Sequence, residues 1–305
     1  MATNVSLAFY QQQLTLQIFG VQILVTIFLW VNMFLIVTFF KKECFHSSAR
    51  YILFAVMLLS DSFMLVMSDV LLVLNFFQFS VPVWLCIVIS VVALVYAHVT
   101  PVTLTAMTLE RYVAICLPLR HAELCSTRRV MLFILVIHGI SFAPCVVVFS
   151  MFFTSASLSF YQQNMLCSVE RFLFQTWQHQ LRSAVSQIYF LIMCIIIVFC
   201  YERIVKVARA ASLENKQSTL KGLRTVILHA FQLLLCLIQL WCPFIEAALF
   251  HVDLNIYMSV RYFNYIMFSL APRCLSPLIY GLRDETFFLA LKNYTCFSLS
   301  KGNNY

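Results

Sequence analysis

Several ionisable and amide side chains stand inside long apolar runs of this chain, where hydrocarbon tolerates them only if each finds a partner or meets water. Glu110-Arg111-Tyr112 closes one run with an acid and a base side by side. Asn32 lies within the run 29–37, Asp61 follows Ser60 in a second run, Asp69 comes eight residues later, and His98 interrupts a third. Their chemistry is ion pairing and hydrogen bonding rather than catalysis. The sequence has no Gly-x-x-x-x-Gly-Lys loop, His-Glu-x-x-His helix, Cys-x-x-Cys pair or Gly-x-Ser-x-Gly elbow, so no enzyme, cofactor or metal site is read from it.

Membrane-spanning helices must position these groups. The chain is 62% hydrophobic and only 10% charged, against about 25% charged in a soluble domain. Thirty phenylalanines, five glycines and no sustained alternation favour helices over a barrel. Apolar runs long enough to span about 30 Å of hydrocarbon fall near 18–40, 51–77, 83–115, 129–152, 183–206, 222–248 and 259–281. The expected fold is all-α, a seven-transmembrane helix bundle forming a single domain over 1–305, with a tail at 1–17, the bundle at 18–281 and a second tail at 282–305.

Orientation follows from the basic residues. Lys41, Lys42 and Arg50, then Arg120, Arg128 and Arg129, then Arg203, Lys206 and Arg209 fall on one side, so the carboxyl terminus is expected in the cytoplasm and the amino terminus outside. The net charge of +8 is read as topology and contact with anionic membrane lipids, not as nucleic-acid binding. The tail 1–17 has neither the basic start nor the small-residue cleavage pattern of a signal peptide. Asn4-Val5-Ser6 is a glycosylation sequon on the outer side, and Asn293-Tyr294-Thr295, on the inner side, is expected to be unused.

The run Met107 to Arg120, Met-x-x-Glu-Arg-Tyr-Val-Ala-Ile-Cys-x-Pro-Leu-Arg, resembles the end of the third helix of rhodopsin-like seven-helix receptors, and within them the odorant-receptor branch. Pro272 to Arg283 resembles the family's Leu-Asn-Pro-x-Ile-Tyr-x-Leu-Arg, with Ser276 in place of the asparagine, followed by Pro277 and Tyr280. Lys221 followed eight positions on by His229 resembles the odorant-receptor opening of the sixth helix. Leu240-Trp241-Cys242-Pro243 instead resembles the Trp-x-Pro switch of other rhodopsin-like receptors. These anchors differ by about one turn, and the His229 register agrees with the other two odorant-type matches. The single-cysteine outer loop and the sixth helix point to a fish type of odorant receptor.

This resemblance implies particular roles. Cys86, 25 residues before Arg111, would form a disulfide with Cys167, the single cysteine of the second outer loop. Asn32, Asp61 and Ser276 would form a buried polar network. Glu110 would hold Arg111 at rest, with Tyr112, Tyr201, His229, Pro277 and Tyr280 serving G-protein coupling and activation. Residues 284–297 would lie as a short amphipathic helix along the inner surface, with Cys296 as a palmitoylation site. The partners would be a small-molecule odorant and a heterotrimeric G protein, with a rise in cyclic AMP as the output.

A pocket is expected in the outer thirds of helices three, five, six and seven, lined by Ala93, Leu94, Ala97, His98, Val185, Tyr189, Trp241, Phe244, Tyr262, Tyr265 and Ser269. Ordinary helix packing would account for each residue singly, and His98 reads either as a buried histidine bonded to a neighbour or as a ligand contact. Asp69 is either a pocket residue or the partner of a loop arginine, and with Glu246 it would select a cationic odorant. The alternative reading is a non-olfactory rhodopsin-like receptor for a lipid, prostanoid or peptide. A transporter would show internal repeats and glycine-broken helices, and five glycines leave little room for these.

Overall fold

The computed structural model describes residues 2–211, 216–250, 254–277 and 289. Five helices in it are long and apolar enough to cross a membrane: the first, Ala2–Lys41, crossing with Thr15–Lys41; the second, Ala49–Phe76; the third, Val83–Cys116; the fourth, Thr127–Ser155; and the fifth, Thr176–Ala211, crossing with Thr176–Val207. The sixth helix comes in two pieces, Lys216–Gln239 and Cys242–Phe250. The seventh runs as Leu254–Asn264, a π-helical stretch Tyr265–Leu270, and Ala271–Ser276. The first helix thus begins well before residue 18, because the glutamine-rich stretch of the expected tail is a good helix former and continues the coil beyond hydrocarbon.

Lipid offers backbone and hydroxyl groups no partner, so the chain satisfies them within each helix. Thr38, Ser60, Ser62, Thr105 and Thr108 each donate their hydroxyl to the carbonyl four residues earlier, at 2.7–2.9 Å. At Pro101 the missing N–H does not end the third helix, and Thr105 Oγ1 bonds the Pro101 carbonyl. The sixth helix does break. Leu240 and Trp241 close with i to i−3 bonds, and the helix restarts at Cys242 with Pro243 in its first turn, where a proline costs no bond.

The third helix is the hub and packs against the second, fourth, fifth and sixth. Around its inner half Leu35, Phe54, Met57, Leu58, Val99, Leu104, Leu233 and Cys236 form one buried cluster. A second cluster caps the outer end, where Val83, Cys86 and Leu94 meet Phe149 and Phe152 of the fourth helix and Met165 and Phe172 of the loop beyond. Strand β1 (Ser80–Pro82) pairs antiparallel with β2 (Asn164–Leu166), with Val81 opposite Met165. Apolar side chains such as Phe19, Ile23, Ile27, Trp30 and Phe34 cover the outer face of the first helix. In water that face would be a liability, and toward lipid it is ordinary.

Candidate functional site

Three levels of the bundle carry the polar groups. At the outer level Cys86 and Cys167 form a disulfide with Cα atoms 5.3 Å apart, next to the β1–β2 pairing. Asn75 Nδ2 ends the second helix by donating to Leu71 O at 2.7 Å and reaches Cys167 O at 3.2 Å, so the loop is held to two helices. The loop also has its own aromatic core, with the Phe152 ring 4.9 Å from Phe172, 5.7 Å from Tyr161 and 5.9 Å from Phe160. Buried Gln178 closes the loop's end: its Oε1 accepts from Phe174 N at 2.6 Å and Gln175 N at 3.1 Å, while Nε2 donates to Ser155 Oγ at 3.0 Å. Nothing in the sequence singled it out beyond its place near a helix start.

At the middle level the buried carboxylate of Asp61 accepts from Thr100 Oγ1 at 2.9 Å and from Ser276 Oγ at 2.8 Å. Arg273, equally buried, places Nε 4.0 Å from Asp61 Oδ1. Its Nη1 donates to the Ser269 carbonyl, and Nη1 and Nη2 both stand 3.4 Å from Gln239 Oε1. Gln232 of the sixth helix donates to Ser276 Oγ at 2.5 Å and to Pro272 O at 3.1 Å. Helices two, three, six and seven therefore meet on one acid and one base. Asn32 donates to Ser62 Oγ at 3.2 Å rather than to Asp61, and joins the first helix to the second beside this network.

Sequence reading named Asp61 and Ser276 but not Thr100, Gln232, Gln239 or Arg273. The signal that could have found Arg273 is an arginine inside an apolar run, which must meet an acid. The π-helical stretch Tyr265–Leu270 lies just before Pro272 and Arg273, and its extra residue per turn shifts the register of the outer half against the inner half.

At the inner level Glu110 Oε2 lies 3.7 Å from Arg111 Nε, and Oε1 lies 3.2 Å from His121 Nε2, on the short helix Pro118–Leu124. The hydroxyl of Tyr201, on the fifth helix, is buried. Tyr112 packs on Phe199 at 5.8 Å, and the Arg203 guanidinium covers the other part of that ring at 5.5 Å. Pro277 is buried at the end of the last helical segment. Tyr280, Cys296 and residues 284–297 lie outside the described residues, as do the side chains of His229 and Asn4.

The expected pocket residues fall into separate groups. His98 and Tyr189 meet edge to face at 5.6 Å, with Ala93 and Leu94 buried just above and Ala97 and Val185 half-buried beside them. Trp241 packs against Phe190 at 5.6 Å and Phe244 at 6.4 Å, and is 41% exposed because it sits at the break in the sixth helix. Tyr262 and Tyr265 pack elsewhere, against Val21, Val25 and Leu65 of the first two helices, and Tyr265 Oη lies 3.3 Å from Ser68 Oγ. Ser269 belongs to the Arg273 network.

Asp69 accepts from Gln22 Nε2 of the first helix. Glu246 accepts from Asn264 Nδ2 at 3.1 Å, joining the outer ends of helices six and seven.

Residues 31–280, which include the central third helix, the disulfide-pinned outer loop and the buried acid linked to the seventh helix, match the family model described as "7 transmembrane receptor (rhodopsin family)". The chain belongs to that family, and it is a multi-pass membrane protein with an all-α, seven-helix bundle. It is also similar to Odorant receptor 131-2 of Danio rerio, with 41% identity over 274 residues, which covers 90% of this chain and 84% of that protein.

Proposed function

We propose that this chain is an odorant receptor of the plasma membrane, its amino terminus outside and its carboxyl terminus in the cytoplasm, acting as one receptor domain. The similarity to Odorant receptor 131-2 along nearly the whole chain carries the reading. A small odorant enters the outer half of the bundle near His98 and Tyr189, under the loop that Cys167 ties to Cys86. It drives the receptor by population shift: the ligand moves the equilibrium by its differential affinity for the active arrangement and no further.

The resting arrangement is one in which Glu110 faces Arg111. Activation moves the sixth helix away from the seventh, which requires Gln232 and Gln239 to leave Ser276 and Arg273. Arg111 then turns from Glu110 toward Tyr201 and Tyr280 and opens the inner face to a heterotrimeric G protein of the stimulatory type. The basic residues flanking that face, among them Arg120, Arg128 and Arg129, suit an acidic partner surface and anionic lipid heads. Asn4 is the proposed glycosylation site and Cys296 the proposed acylation site.

The Trp241 and Pro243 break in the sixth helix is the feature on which a non-olfactory receptor for a lipid, prostanoid or peptide would rest. The test is cyclic AMP in cells that express the chain with a stimulatory G protein, screened against odorant mixtures beside an Arg111→Ala control. An odorant-dependent rise that the control lacks supports the reading. Silence at full surface level, together with a response to lipid or peptide extracts, would move it to the second class.

A further inference from the structure

His98 is 6% exposed, at the depth where the proposed ligand would lie. Its Nδ1 is 2.9 Å from the Leu94 carbonyl. A carbonyl only accepts, so Nδ1 carries the proton, and Nε2 of the neutral ring is left as a bare acceptor. That atom is buried and meets no donor from the protein. The ring is also held in place. Tyr189 packs edge to face against it, and the Tyr189 hydroxyl is itself tied to Ile140 O of the fourth helix at 2.5 Å. A fixed, buried acceptor with no protein donor is a place for a donor to arrive.

We infer that the ligand carries a neutral hydroxyl, of the alcohol or phenol class, which donates to His98 Nε2 while its apolar body lies against Tyr189. This rests on the odorant-receptor reading and specifies its substrate class. A cationic amine is disfavoured because the two acids that could select it are engaged: Asp69 is bonded to Gln22 and Glu246 to Asn264. A carboxylate has no proton to give to Nε2. Aldehydes and ethers accept but do not donate, and so leave Nε2 as it was.

The experiment is a cyclic AMP dose-response in cells carrying the full chain, with matched sets on one skeleton: octanol, octanal and methyl heptyl ether; benzyl alcohol, benzaldehyde and benzyl methyl ether; and terpenoid equivalents. The alcohol should be at least about tenfold more potent than its ether and aldehyde, the difference one hydrogen bond to a buried group makes. In His98→Phe, at matched surface level, that preference should fall to within about twofold, while His98→Gln, which keeps an acceptor, should retain part of it. Ethers or aldehydes as potent as the alcohols, or a preference that survives in His98→Phe, would overturn the assignment and leave odorant reception standing. A surface-expressed chain silent to every set but responsive in the odorant-mixture screen would overturn this assignment alone, whereas silence in both, with a response to lipid or peptide extracts, would overturn the odorant reading and this assignment with it.

Discussion

Two acid–base pairs in this bundle sit at different depths, and their difference separates what holds the molecule together from what can switch. Asp61 and Arg273 come from different helices and are 0% and 2% exposed, with hydroxyl and amide donors filling the space around them. Glu110 and Arg111 are neighbours in sequence, 9% and 24% exposed, near the inner end of a helix where the half-exposed His121 shares the acid. In a dry interior, losing one partner strands a charge; at a wet edge, the same loss is met by solvent. The inner-edge pair can therefore exchange partners at low cost, and the mid-bundle pair cannot.

The largest effect should come from stranding the buried acid. Arg273→Met is expected to cost about 3–5 kcal/mol, seen as lost surface expression and a lower unfolding temperature in detergent. Asp61→Asn combined with Arg273→Met should recover most of that, since the pair then leaves together, whereas additive losses would show that the two side chains act separately. Next comes the outer clamp: Cys167→Ser should lose about 2–5 kcal/mol, read by the same thermal assay. Gln22→Leu, which removes the donor to half-buried Asp69, should cost about 1–3 kcal/mol. At the surface, Glu123→Ala breaks an exposed pair in which Arg129 Nη2 stands 3.1 Å away, and the change should be no more than about 1 kcal/mol.

How much of this could be read from sequence follows the same division by depth. The long apolar runs were enough to read the helices, because hydrocarbon leaves few other ways to satisfy a backbone. Glu110, Arg111 and Asp61 were visible as polar groups where polar groups are expensive, and Ser276 through the resemblance of the seventh-helix end. Arg273 was just as conspicuous but lay inside a recognised run, and only the packing of the seventh helix shows that it turns toward Asp61. Asp69 was left between a pocket role and a loop arginine because partners across helices leave no local trace, and Gln22 is 47 residues away. The pocket residues were grouped by shared depth, yet Tyr262 and Tyr265 face the first two helices, and rotation about a helix axis is what a spacing rule without the neighbouring helices cannot fix.

We propose that the inner-edge pair is the switch, with Glu110 holding Arg111 at rest. The most direct measurement is ligand-free cyclic AMP in cells expressing Glu110→Gln beside the unmodified chain at equal surface level. The expected result is a raised basal signal in Glu110→Gln that is lost again when Arg111→Ala is added. A basal signal that stays unchanged or falls in Glu110→Gln, with the protein at the surface, would contradict it.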